Sequence, residues 1–225
     1  MDQKTHDKGL EIRKAVLGEA YVNNALKNSD SFNKPFQELV TEYCWGAVWG
    51  REELSRRGVM GIDVLMFTRD ANGAFVSPAL WRPDAVATTT THDLPTLTGW
   101  REGRDIDWRR KLELIQPAQA SDDATARSKD LARLDAAVEH AGLSAADDPL
   151  LGALRFTATS VSPLALLPVE DALALEEQPN LPGTVEVHPN WRRRLPDPLP
   201  HARLSTALQG FAEARRVAAV SEPHS

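Results

Sequence analysis

The sequence predicts an α/β protein with a helical segment at its N-terminal end, on the strength of three observations. Short runs rich in apolar and β-branched residues at Asp63–Thr68, Ala85–Thr91 and Leu164–Val169 read as strands. Helical periodicity fills the stretch between the second and third runs and returns after the third. The first fifty residues carry helical spacing alone. Strands separated by helices argue for a parallel sheet. Three strands make a poor parallel sheet by themselves, because such sheets bury both faces, so they fit better as part of something larger.

Taken in order, a first helix is expected over Gly9–Leu26, with Ile12, Val16 and Ala20 along one stripe. Asn28–Asn33 reads as the loop that follows. Phe36, Leu39, Val40, Tyr43 and Cys44 recur at i, i+3, i+4, i+7 and i+8, which puts them on one face of a second helix. The character of the chain changes near Gly58. After the first strand, Asp70-Ala-Asn-Gly is a turn signal. Beyond the second strand, Trp108, Leu112 and Ile115 share one helical face, and Leu131, Leu134 and Val138 share another that Gly142 is placed to end. Asp148-Pro149 supplies an N-cap and a first-turn proline for the next helix. Leu204, Leu208 and Phe211 mark one side of a final helix. Many of the prolines fall between Pro163 and Pro200, in segments that read as functional loop or disorder.

A formal charge of −6 gives no general attraction for nucleic acid or for an anionic membrane surface. No stretch approaches the ~20 apolar residues of a membrane helix, and the polar start Met1-Asp-Gln-Lys lacks a signal-peptide core. The single cysteine, Cys44, cannot make an internal disulfide. A cytoplasmic protein without nucleic-acid or membrane partners is expected.

His92 and Asp93 directly follow the threonine-rich strand, and in parallel α/β folds the carboxyl ends of strands carry the active site. Two readings of Asp93 compete. It offers a charge to a substrate, or it caps the helix expected after Leu-Pro-Thr. His92 taken alone reads as a hydrogen-bonded packing residue. In Asn180-Leu-Pro-Gly-Thr, Pro182 and Gly183 suit the central positions of a type II turn, which leaves backbone groups free. The alternative there is a plain surface turn. Trp191 reads first as a packed tryptophan and second as a stacking face. Arg192, Arg193 and Arg194 are expected to pair with carboxylates or to face solvent.

Thr89-Thr-Thr-His-Asp-Leu-Pro-Thr-Leu-Thr-Gly-Trp, followed by Gly103-Arg-Asp-Ile, closely resembles the amylomaltase type of 4-alpha-glucanotransferase, a relative of the alpha-amylases. So do Leu166-Leu-Pro-Val-Glu-Asp, Glu177-Gln-Pro-Asn-Leu-Pro-Gly-Thr and His188-Pro-Asn-Trp-Arg-Arg-Arg-Leu, in the family's order across about Ser55 to Arg216. The resemblance implies a partial (β/α)8 barrel, with the three strands as the sixth, seventh and eighth. It makes Asp93 the substrate-distorting, transition-state-stabilising aspartate and His92 a donor to a sugar hydroxyl. It places the loop of Asn180, Pro182 and Gly183 beside the substrate, an α-1,4-glucan or maltooligosaccharide. It implies retaining transfer of a glucan segment to an acceptor sugar, with no metal and no organic cofactor. The family's nucleophilic aspartate and acid/base glutamate precede the matched region, and neither can be carried over onto this chain. Glu38 and Glu42 lie in a helix of different character and do not stand in for them.

Arg13-Lys-Ala-Val-Leu-Gly-Glu-Ala-Tyr-Val and Pro35-Phe-Gln-Glu-Leu-Val-Thr-Glu-Tyr-Cys-Trp-Gly-Ala-Val-Trp-Gly-Arg resemble the beginning of 4-carboxymuconolactone decarboxylase, over about Leu10 to Arg51. The region of that family that carries its functional histidine is not matched. A helical domain at 1–54 and a glucanotransferase-like domain at 55–225 are therefore expected, joined near Arg51 to Arg57 as a fusion of two incomplete families. Negligible activity is expected of the chain.

Overall fold

The structure is a computed structural model that describes residues 2–17, 19–27, 29, 33–49, 59–144 and 148–221. The chain forms two compact units, Met1–Met60 and Gly61–Ser225.

In the first unit, α1 (Gln3–Leu17), α2 (Glu19–Lys27) and α3 (Lys34–Leu39) are followed by a wide π-helical stretch, Val40–Trp49. Pro35 sits in the first turn of α3, where its missing N–H costs nothing. Glycine sets the packing. A Cβ on Gly9 would lie 2.0 Å from the Thr41 carbonyl oxygen, and one on Gly46 would lie 2.1 Å from that of Thr5. So α1 meets the π-helical stretch backbone to backbone. Between them the buried Arg13 donates from Nη1 to Thr41 Oγ1 (2.9 Å) and from Nη2 to Gln37 Oε1 (2.7 Å).

This arrangement corrects two expectations. The helix expected over Gly9–Leu26 is two helices; the side chains of Val16 and Ala20 lie outside the described residues, as does most of the Asn28–Asn33 loop. The second expected helix is α3 continued by the π-helical stretch, and its apolar stripe lies largely on the outside. Phe36, Leu39, Tyr43 and Cys44 are exposed, because close approach through Gly9 and Gly46 buries the face carrying Thr41 instead.

The second unit holds a three-stranded parallel sheet in the order β1-β2-β3, with β1 at Gly61–Val64, β2 at Ala85–Thr88 and β3 at Leu164–Leu166. The α/β class is as expected, but each strand is shorter or displaced. After Val64 the chain tightens into a 3-10 turn, Leu65–Phe67, and Thr68 Oγ1 folds back to donate to the Val64 carbonyl at 2.9 Å. Thr89, Thr90 and Thr91 leave the ladder, and Pro168 precedes the short α8 (Val169–Ala172).

The helices between are α4 (Leu97–Glu102), α5 (Arg104–Lys111), α6 (Pro117–His140) and α7 (Pro149–Ala158); α9 (His201–Ser221) closes the unit. The core gathers Leu65, Trp81, Leu97, Trp100, Leu134, Leu154, Phe156 and Phe211. Asp148 caps α7 by accepting from the Leu151 N–H at 3.0 Å, with Pro149 in the first turn, as the sequence predicts. Leu134 and Val138 of α6 are buried, and Gly142 takes a positive φ of 68° just beyond that helix.

Two stripes differ from expectation. Helix α5 stops at Lys111 and buries Ile106, so Leu112 and Ile115 do not extend the Trp108 face. Its end is a Schellman motif: Leu114 N–H donates to the Arg109 carbonyl (2.9 Å) and Glu113 N–H to that of Arg110 (3.1 Å), with Glu113 at φ 56°. On α9 the inward positions are Leu204, Ala207, Phe211 and Ala214, while Leu208 is exposed.

Candidate functional site

The site is built on the turn that follows β2, and the threonines fasten it. Thr90 Oγ1 donates to the Pro95 carbonyl at 2.7 Å, across a turn in which the Leu94 N–H reaches the Thr91 carbonyl at 3.1 Å. Thr96 caps α4 by accepting from the Gly99 N–H at 2.9 Å, and its hydroxyl donates to the Leu175 carbonyl at 2.5 Å. Thr89 donates to the Asp171 carboxylate, whose other oxygen accepts from the Leu97 N–H at 2.6 Å. The turn is thus tied on both sides to the segment that follows β3.

His92 and Asp93 stand at its tip, each about half exposed or more, with His92 Nε2 3.3 Å from Asp93 Oδ2. Because Thr96 is the N-cap of α4, the capping alternative for Asp93 is ruled out. Asp93 Oδ1 instead accepts from Asn180 Nδ2 at 2.6 Å. One carboxylate oxygen is therefore oriented by an amide, and the other sits beside an imidazole.

The Asn180 loop has its own frame. Thr184 N–H donates to the Leu181 carbonyl at 3.3 Å around Pro182 and Gly183, both exposed, and Gly183 has φ 81°, as a type II turn requires. Asn190 clamps both ends of this turn. Its Oδ1 accepts from the Leu181 N–H (2.8 Å) and lies 2.6 Å from His188 Nδ1, while its Nδ2 donates to the Thr184 carbonyl and hydroxyl oxygens, each at 2.9 Å. Gln178 Nε2 donates to the Asn180 carbonyl at 2.6 Å.

Glu177 is a second junction. Its carboxylate accepts from Trp108 Nε1 (2.8 Å), Arg104 Nε (2.7 Å) and Arg193 Nη2 (3.0 Å). Burial pushes this carboxyl up, but the Trp108 and Arg104 hydrogen bonds and the Arg193 charge outweigh it and hold it below its ordinary value. Asp171 goes the other way. Full burial, only partly offset by Thr89 and Leu97, raises it to about 6.

The expected set Asp93, His92 and Asn180 is thus brought together, with Pro182 and Gly183 in the adjoining turn. Arg193 pairs with a carboxylate as expected. The packed reading of Trp191 is overturned: its side chain is exposed, and its ring centroid lies 5.4 Å from that of His92. Asp171, Glu177 and Asn190 are structural anchors that periodicity does not flag: Asp171 and Glu177 pair with side chains and backbone some 70–80 residues away, which leaves no local pattern, and Asn190 pairs within nine residues but in a loop that has no period. A cleft of about 830 Å³ runs beside the site, lined by His92, Glu170, Glu176, Trp191, Arg193 and Arg194 among others. Among the described residues no group of three or more His, Cys, Asp or Glu side chains is placed to hold a metal, and no helix is long and apolar enough to cross a membrane.

Such an arrangement can offer hydrogen-bond acceptors and donors to a polyhydroxylated ligand. The chain is 29% identical over 184 residues to the 4-alpha-glucanotransferase of Mycobacterium tuberculosis H37Rv, covering 77% of this chain and 25% of that protein. The crystal structure of amylomaltase from Corynebacterium glutamicum superposes with a TM-score of 0.63 at 22% identity, over 81% of this chain and 31% of that one. A short N-terminal segment matches 4-carboxymuconolactone decarboxylase of Acinetobacter baylyi, 42% identical over 67 residues, 29% of this chain and 50% of that protein. The chain thus spans between a quarter and a half of the length of these curated relatives. The family described as 4-alpha-glucanotransferase matches residues 49–200, more than half of the sequence, and the chain belongs to that family.

Proposed function

We propose that the second unit binds an α-1,4-glucan or maltooligosaccharide at Asp93, His92 and the Asn180–Gly183 turn. In this reading Asp93 is the carboxylate that stabilises the transition state in retaining transfer of a glucan segment to an acceptor sugar. The observation that carries it is the 2.6 Å hydrogen bond from Asn180 to Asp93, which joins two loops 87 residues apart whose neighbouring residues His92 and Pro179 line one cleft. A carboxylate so oriented accepts from sugar hydroxyls whose hydrogen bonds strengthen as the ring flattens toward an oxocarbenium ion. His92 donates to a further hydroxyl, and the exposed turn presents its backbone. The strands are read as the last three of a (β/α)8 barrel; their parallel order and the likeness to the amylomaltase structure support this. No metal or organic cofactor enters the scheme, and a cytoplasmic setting suits it.

Retaining transfer also needs a nucleophile and an acid/base carboxylate about 5–5.5 Å apart. The reading assigns neither role to a residue of this chain. It therefore expects binding without turnover: calorimetric titration with maltotriose should register binding that Asp93→Ala and Asn180→Ala each weaken. Absence of any heat from the unsubstituted chain would sink the binding site. Glucose release from maltotriose, abolished by Asp93→Ala, would overturn the expectation of no turnover.

A second reading rests on the N-terminal match to 4-carboxymuconolactone decarboxylase, which favours a lyase ancestry for the first unit. Loss of that lactone's ultraviolet absorbance on incubation with the chain is the direct assay. No loss is expected, since the match covers half of that relative.

A further inference from the structure

Trp191 does something no packing role explains. Its side chain is 64% exposed, so it contributes little to the core. Its backbone nevertheless sits at φ 59°, the left-handed region, where a bulky residue is a genuine outlier. The neighbouring structure enforces that conformation. The Trp191 N–H donates to the Pro179 carbonyl at 2.9 Å, the Asn190 N–H to that of His188 at 2.7 Å, and the Arg192 N–H to that of Pro189 at 3.2 Å. On one side Asn190 is locked into the Asn180 turn, and on the other Arg193 is held by Glu177. Strain that the surroundings over-determine is characteristic of ligand clamps. Its effect here is to hold an indole face open in the cleft, beside the His92 ring.

We propose that Trp191 is a sugar-stacking platform that extends the site by one further glucose unit of an α-glucan. A pyranose presents an apolar C–H face to an indole and turns its hydroxyls outward. Glu176, Arg193 and Arg194, which line the same cleft, supply the charged acceptors and donors that such hydroxyls bind. A flat aliphatic or aromatic ligand would leave these charges unsatisfied, and a nucleic acid would meet Glu170 and Glu176. The proposal rests on the glucan-binding reading of Asp93 and Asn180 and names the subsite adjoining them.

Maltotriose is the probe, titrated calorimetrically into the full chain and into Trp191→Gly, Trp191→Phe and Asn180→Ala, with thermal midpoints recorded for each. Glycine adopts a positive φ freely, so Trp191→Gly removes the ring and relieves the strain together. The expected result is a Kd raised about fivefold or more in Trp191→Gly, with a thermal midpoint equal to or above that of the unsubstituted chain. Trp191→Phe should keep affinity within about twofold, since it retains an aromatic face. A Trp191→Gly midpoint that falls together with the affinity would show a structural residue and overturn the platform. Unchanged affinity in Trp191→Gly with loss in Asn180→Ala would also overturn it, while leaving the Asp93–Asn180 site standing. No binding by the unsubstituted chain would remove both.

Discussion

Asp171 is a carboxylate that the fold keeps entirely out of water while asking it to hold two elements together. Its oxygens take the Thr89 hydroxyl and the Leu97 N–H, so it pins the end of β2 and the start of α4 to α8. Burial dominates over these two hydrogen bonds, and its pKa rises from 3.8 to about 6. The folded state therefore binds this proton more tightly than the unfolded chain does. The resulting stabilisation is complete below the unfolded value, near pH 4, and is lost as pH climbs through about 6. A rise from 3.8 to about 6 corresponds to on the order of 3 kcal/mol. Asp171→Asn keeps a carbonyl oxygen for Leu97 but carries no titrating proton. The gain in thermal midpoint between pH 7 and pH 5 should shrink in that variant relative to the unsubstituted chain. An identical pH profile would mean that the carboxyl is not the group that titrates.

At the scale of elements, the signals that chemistry places locally were legible. Asp148-Pro149 opens α7, Gly142 ends α6, and Asp70 closes its turn by accepting from the Asn72 and Ala74 N–H groups at 2.8 and 2.9 Å. The Asp93 loop was legible from its place after a strand and the Asn180 loop from the turn chemistry of Pro182-Gly183, while pairing the two loops needed the family motifs. What stayed hidden has physical causes. The threonine run has strand propensity, but the hydroxyls of Thr88, Thr89 and Thr90 have partners that hold a turn, so the strand ends at Thr88. Helix α5 ends with Glu113 in a conformation that favours glycine, so no residue signals the stop. The stripe from Phe36 to Cys44 has the spacing of a buried face, yet Gly9 and Gly46 decide which side packs. Another close approach makes a test. A Cβ on Gly99 would lie 2.2 Å from the Glu176 carbonyl oxygen, so α4 rests directly on the segment leading to Asn180. Gly99→Ala forces these apart and should cost roughly 2–3 kcal/mol in chemical denaturation, despite alanine's better helix propensity. A neutral or stabilising result would mean that the two segments do not meet.

At the scale of the whole second unit, the sheet has a core on one side and little on the other. Ile62, Val86 and Leu164 stand in register across β1, β2 and β3, with Leu166 two residues further along the same face. Ile62, Leu164 and Leu166 are each about half exposed, whereas Ala85 and Ala87, which alternate with Val86, are fully buried. Parallel sheets cover both faces, so an apolar row open to water on the two outer strands, with Val86 partly buried between them, is a departure from that rule. Strands β1 and β3 also have one strand partner each among the described residues, which leaves two parallel edges. Open edges beside an apolar face favour association. The chain should therefore enhance the fluorescence of an apolar-surface dye, and light scattering should show it associating as concentration rises. Leu164→Lys places a charge in the middle of the row at a position already half in water, where long lysine stems keep their ammonium group hydrated. That variant should lower the dye signal and shift association to higher concentration, with its thermal midpoint close to that of the unsubstituted chain. Undiminished dye binding in Leu164→Lys would locate the accessible apolar surface elsewhere, and a large fall in midpoint would show that the row is packed.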